Sequence, residues 1–145
     1  MIQEKLVDHT DDAVLAEGAS VRSVAEAKAI VQTISDVSTR QDLEEFVSGF
    51  TEDCVVQLDD HPEICGREAL RALIKARRAT ANRQNFSCEK RLRCLSGNVL
   101  GCSWHNRWTD PSTGKAMEGP GLEFWIMRDG KIARSDGSAH GWPAS

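Results

Sequence analysis

The apolar residues of this chain change their spacing once, and that change limits the fold more than any other feature. Three sets recur at steps of three and four: Val24, Ala27, Ile30, Val31 and Ile34, then Leu43, Phe46, Val47 and Phe50, then Leu70, Leu73 and Ile74. This is the period of amphipathic helices. Ser38 or Thr39 is the expected cap of the second helix, with Asp42 in its first turn, and Gly66 precedes the third. Between the second and third lies a short β-rich run, Cys54 to Leu58, ended by the turn-forming Asp59-Asp60-His61-Pro62. From Phe86 onward the period is two, which predicts strands near 86–95, 99–109, 116–127 and 131–138. The breaks between them, Ser96-Gly97-Asn98, Asp110 to Gly114 and Arg128-Asp129-Gly130, have turn chemistry. Helices and strands segregated in this way give an α+β fold, not a doubly wound sheet. Three N-terminal helices packed on a strongly curved, mostly antiparallel sheet would form a cone-shaped α+β barrel. A pocket is expected between the two layers.

Residues 1–20 are acidic and weakly patterned, and read as a tail or short helix before a domain spanning 21–145. The chain has 145 residues, 40% of them hydrophobic and 28% charged, enough for one buried core. No apolar run suggests a membrane span, and no basic-then-apolar start suggests a secretory signal. The five cysteines are odd in number and include no C-x-x-C pair, which argues against a zinc or redox motif and fits a reducing cytoplasm. Charge is uneven: residues 1–66 carry 4 basic and 15 acidic groups, whereas residues 67–93 carry 9 and 2. The basic stretch has no interleaved stacking aromatics, so a solvated helix face is preferred to nucleic-acid binding. No phosphate loop, dinucleotide fingerprint or nucleophile elbow is present, so chemistry that needs one is not supported, and no cofactor or metal is expected.

Three landmarks carry a resemblance. Phe50-Thr-Glu-Asp-Cys-Val-Val-Gln-Leu58 is similar to an F-x-x-D motif leading into a first strand, and Gly66-Arg67-Glu68-Ala69-Leu70 to a G-R-x-A-I helix opening. Phe124-Trp-Ile-Met-Arg-Asp-Gly-Lys-Ile132 is similar to an F-x-x-x-D-G-K-I hairpin. In this order they resemble the SnoaL-like branch of the nuclear-transport-factor-2-like superfamily, over roughly residues 21–142. That superfamily includes polyketide cyclases, ketosteroid isomerases, scytalone dehydratase, limonene epoxide hydrolase and non-enzymatic binding domains. Relatives commonly pair through the convex face of the sheet, so the resemblance implies a homodimer, with Leu122 and Phe124 on that face.

Strand parity selects candidate site residues. Trp104, Asn106 and Trp108 share a face that two indoles assign to the interior, leaving Asn106 as an amide able to polarise a carbonyl. The resemblance places Trp104 and Asn106 where epoxide hydrolases carry catalytic Arg and Asp; neither is retained. It also places Glu123 where relatives carry an inward His or Asp, and there a carboxyl in an aromatic cavity could exchange protons. On the same face, Gly119 and Gly121 are expected to leave empty volume. Isomerase relatives carry their general base near Asp59-Asp60-His61; strict register aligns it with Leu58, and Asp60 shares that parity. Arg134, Asp136 and His140 share one face of the last strand, and their direction depends on bulges. The chain has no tyrosine, so tyrosine-based isomerase and dehydratase mechanisms cannot be copied.

The expected function is that of a cofactor-independent enzyme using proton transfer on an apolar, cyclic metabolite, by isomerisation, cyclisation or dehydration. Glu123, Asp60 and His61 are the acid/base candidates and Asn106 the polarising group. Trp104, Trp108, Phe50 and Leu58 would line the substrate. The alternative is a non-catalytic ligand-binding or dimeric assembly domain of the same fold.

Overall fold

A computed structural model describes residues 21–59 and 61–145; the acidic N-terminal segment and Asp60 lie outside the described residues. Helix α1, Val24–Arg40, starts at Ser23, whose hydroxyl accepts the Glu26 N–H at 3.1 Å. It buries Ala27, Val31, Ile34 and Val37, the face marked by its apolar spacing. Helix α2, Leu43–Ser48, is capped by Asp42, which accepts the Glu45 N–H at 2.9 Å. This corrects the expected cap at Ser38 or Thr39, since both lie within α1. Thr39 is committed elsewhere: its hydroxyl accepts the Cys88 N–H at 2.9 Å and donates to the Cys88 carbonyl at 3.0 Å.

Strand β1, Phe50–Leu58, begins four residues before the expected run, so Phe50 opens a strand and does not end a helix. A two-residue strand β2, Ile64–Cys65, follows the turn. Helix α3, Arg67–Ala81, follows Gly66, which adopts φ 88°. That left-handed value favours glycine. Arg67 fastens the start of α3 to β1 by donating to the Phe50 carbonyl at 2.7 Å. Arg71 bridges α3 to α2 through Glu44 at 2.8 Å, a solvent-screened surface contact.

The long strands are β3, Gln84–Ser96, β4, Val99–Thr109, β5, Ala116–Arg128, and β6, Lys131–Ala139, with β7, Trp142–Pro143, added beside β5. The sheet order is β2-β1-β6-β5-β4-β3, parallel between β1 and β6 and antiparallel elsewhere. Register shifts interrupt the β3–β4 and β5–β6 pairings, whereas β4 and β5 pair without a shift. Such bulges bend the sheet around its helices. Trp125, Leu100, Met127, Ile132, Val31 and Val47 form the buried core. Among the described residues no helix is long and apolar enough to cross a membrane.

Candidate functional site

Sheet and helices do not close on each other completely. A cavity of about 270 Å³ lies between them, lined by apolar side chains that include Phe46, Phe50, Leu58, Leu70, Ile74 and Phe86. Lys90, Asn106, Trp104, Glu123 and Ser135 also line it. That volume lies near the lower end of the ~300–1,000 Å³ usual for small-molecule sites. Strand β3 supplies one wall, and α1 sets its position. Ser35 Oγ donates to the Cys88 carbonyl at 2.8 Å and accepts the Lys90 N–H at 3.0 Å.

The cavity contains an ion pair. Lys90 Nζ lies 2.5 Å from Glu123 Oε1, and the two side chains are only 9% and 11% exposed. The ammonium also sits 4.4 Å from the Trp104 ring centroid and 5.7 Å from that of Trp125. Cation–π attraction therefore adds to the ionic contact. Two charges withdrawn from water in this way depend on each other, and removing one typically costs about 3–5 kcal/mol. Cys102 pairs with Glu123 in register. Burial first, and then the Glu123 charge, push its thiol up to about 12. Burial also raises the Cys88 thiol. Neither sulfur has the thiolate character that a nucleophile requires.

Trp104 is buried and lines the cavity, as its parity predicts. Its indole Nε1 and the Asn106 Oδ1 are buried polar atoms without a hydrogen-bond partner among the described residues. Buried groups of this kind usually find partners, so two unpaired ones at the wall of one cavity stand out. Trp108 sits farther along the sheet, with the Arg83 guanidinium 4.4 Å from its ring centroid.

The two glycines of β5 do not open empty space. A Cβ at Gly121 would overlap the Trp104 indole, and one at Gly119 would lie 3.2 Å from the Trp108 ring. They leave room for the two indoles and, at Gly119, for the His140 carbonyl, and the expected small-residue wall is occupied by tryptophan. Phe50 and Leu58 line the cavity. His61 is absent from its lining; it stays in the turn after β1, with ring Nδ1 2.8 Å from the Pro62 carbonyl. Arg134 and Asp136 pair with each other at 2.8 Å, and His140 lines a groove on the opposite, convex face of the sheet.

Two features escape the sequence patterns. Lys90 falls within the basic segment 67–93, although the alternation Phe86, Cys88, Lys90, Leu92 places it on an apolar face. Arg77, Arg78 and Arg83 belong to the same segment, whose expected role is a solvated face, yet all three line the cavity.

A profile of the SnoaL-like domain matches residues 31–135. No curated protein matches the chain. Among solved structures, a candidate polyketide cyclase from Xanthomonas campestris pv. campestris is 21% identical, with TM-score 0.65, covering 79% of this chain and 90% of that one. A candidate ketosteroid isomerase from Kribbella flavida is 19% identical, with TM-score 0.61, covering 83% and 80%. TerC, co-crystallized with polyporic acid, is 16% identical, with TM-score 0.64, covering 75% and 87%. Identities this low show a shared fold, which does not fix a reaction.

Proposed function

This chain belongs to the SnoaL-like domain family, and from that premise we propose that it is a cofactor-independent enzyme moving protons on a compact, apolar cyclic metabolite. The observation that carries this reading is the Lys90–Glu123 pair inside an apolar cavity, beside the unpartnered Trp104 Nε1 and Asn106 amide. Glu123 as an ion-paired carboxylate has lone pairs to accept a proton from a carbon next to a carbonyl. The released electron pair moves onto the carbonyl oxygen. The Trp104 N–H is a donor suited to that oxygen, as is Asn106 once its amide is rotated by half a turn. Returning the proton to another carbon gives isomerisation. Attack of the enolate on a second carbonyl, with the proton passed from Glu123 to the new alkoxide, gives cyclisation, and expulsion of a β-hydroxyl group, which takes that proton and leaves as water, gives dehydration.

Hydrogen–deuterium exchange tests this without knowledge of the substrate. With 2-tetralone as probe, the protein should accelerate α-proton exchange followed by NMR. Glu123→Gln should lower that acceleration by about 10²-fold or more, the scale of a lost general base. Exchange that is equally fast with the variant would reassign Glu123 to structure.

The second reading is a ligand-binding or assembly domain, and the 2.5 Å ion pair itself favours it, because it occupies an oxygen of the proposed base. In either case we place a homodimer contact on the convex face, where Leu122 and Phe124 stand exposed. The same reading has the protein work in the cytoplasm, with nucleic acid and membranes playing no part.

A further inference from the structure

The cavity mouth carries more positive charge than the protein itself neutralises. Elsewhere, Arg40, Arg71, Arg91, Arg128 and Arg134 each have a carboxylate partner. Among the cavity-lining residues there is one carboxylate, Glu123, and Lys90 already holds it. Arg77, Arg78 and Arg83 line the same cavity, and none of them has an ion-pair partner among the described residues.

Arg78 is accounted for by its bond of 2.5 Å to the Gln41 carbonyl and by its place in the last turn of α3. Arg77 and Arg83 are not. Asn82, at φ 42°, ends α3 in a left-handed conformation and turns the chain back toward the sheet. Arg83 then lies over Trp108 at 4.4 Å and near Phe86 at 5.7 Å. Burial, and next the nearby charge of Arg77, hold its guanidinium below the ordinary arginine range. Two cations that repel each other at the edge of an apolar cavity are a poor use of charge unless an anion joins them.

We propose that the ligand of this cavity carries a carboxylate, held at the mouth by Arg83 and Arg77, while its ring system enters toward Glu123. This rests on the reading that the cavity takes a compact apolar metabolite. A stacked guanidinium keeps its edge free, and its planar fork matches a planar carboxylate in two parallel hydrogen bonds. A phosphate is a poorer fit. It would be a dianion placed beside the C-terminal end of α3, where the free carbonyls carry partial negative charge. Held by its acid end, the ring would present its far carbons to Glu123, so the arginines would set the site of proton transfer as well as affinity.

Calorimetric titration with 2-naphthoate and its neutral methyl ester tests this. The acid should bind at least about tenfold tighter, the scale of a hydrogen-bonded charge at a partly exposed site. Arg77→Gln with Arg83→Gln should bring the acid-to-ester affinity ratio down to about one. Arg77→Gln alone should remove part of the preference. Equal binding of acid and ester to the unmodified protein would overturn the carboxylate assignment and leave the apolar cavity standing. A preference that survives the double replacement but vanishes in the stability-restored pair Lys90→Met with Glu123→Leu would move the anion to the cavity floor and overturn the assignment to the mouth. If neither compound binds, the cavity reading falls together with this one.

Discussion

On β5, Glu123 faces the helices while its neighbours Leu122 and Phe124 face away from them. Each face holds the opposite of what exposure alone would select. The inward carboxylate is 11% exposed, whereas the outward Leu122 and Phe124 are 63% and 55% exposed. A charge inside and large apolar groups outside both cost stability in a lone domain. The inner anomaly is offset within the chain, because Lys90 arrives from β3 to meet the carboxylate. Nothing on the described chain covers the outer one. The inward charge is matched by a partner within the chain, whereas the outward apolar pair is where the proposed contact with a second copy would lie.

The largest effect expected is on the inner face. Lys90→Met leaves the Glu123 charge buried and unpaired, and should lower unfolding free energy in urea by about 3–5 kcal/mol. Lys90→Met with Glu123→Leu removes both charges and should recover most of that loss without restoring proton exchange. A loss below about 1 kcal/mol for Lys90→Met would mean that the pair behaves as a surface contact, and the contrast between the faces would collapse. Next in size is the fall in exchange activity of about 10²-fold for Glu123→Gln. This variant also strands the Lys90 charge, so its folded fraction must be measured beside its activity.

Gly121→Val tests the seat of the Trp104 indole. Its Cβ would overlap the ring, so overpacking should lower stability by roughly 1–3 kcal/mol, seen as a lower denaturation midpoint. Unchanged stability would show that the indole swings away freely. On the outer face, Leu122→Glu with Phe124→Glu should shift the light-scattering mass from twice 16.0 kDa to a single chain, with little change in far-ultraviolet circular dichroism. A single-chain mass before mutation would remove the proposed contact. The smallest effect separates inside from outside by chemistry. Iodoacetamide at pH 8 should label the exposed Cys65 and Cys94 and spare Cys54, Cys88 and Cys102 until the protein unfolds. Mass spectrometry of the labelled protein reads the result.

The period of the apolar residues was legible because it is local. Steps of three and four gave the helices, and steps of two with Gly and Asn turns gave β4, β5 and β6 within about one residue of their ends. The inward direction of Trp104 followed from the same alternation, and that of Glu123 from the family resemblance. Boundaries set by distant partners were not legible. Thr39 looked like a cap because its contact with Cys88 is 49 positions away along the chain. Strand β1 began early because its Phe50 pairs with Ile132 of β6.

What the sequence determined alone, then, is the class of fold and which residues of a strand share a face, since both follow from repeat distances along one backbone. What surrounds those residues was decided only in three dimensions. The glycines at 119 and 121 could equally have left a hollow or seated a ring, and the answer depended on where β4 laid its indoles. Lys90 and Glu123 are 33 positions apart and lie on strands that do not pair with each other; β4 runs between them. Curvature of the sheet brings their side chains together across it, and no spacing within a sequence encodes curvature. The arginines at the mouth obey the same reason: a helix end and a bent sheet meet there, and only their meeting turns a basic segment into a lining.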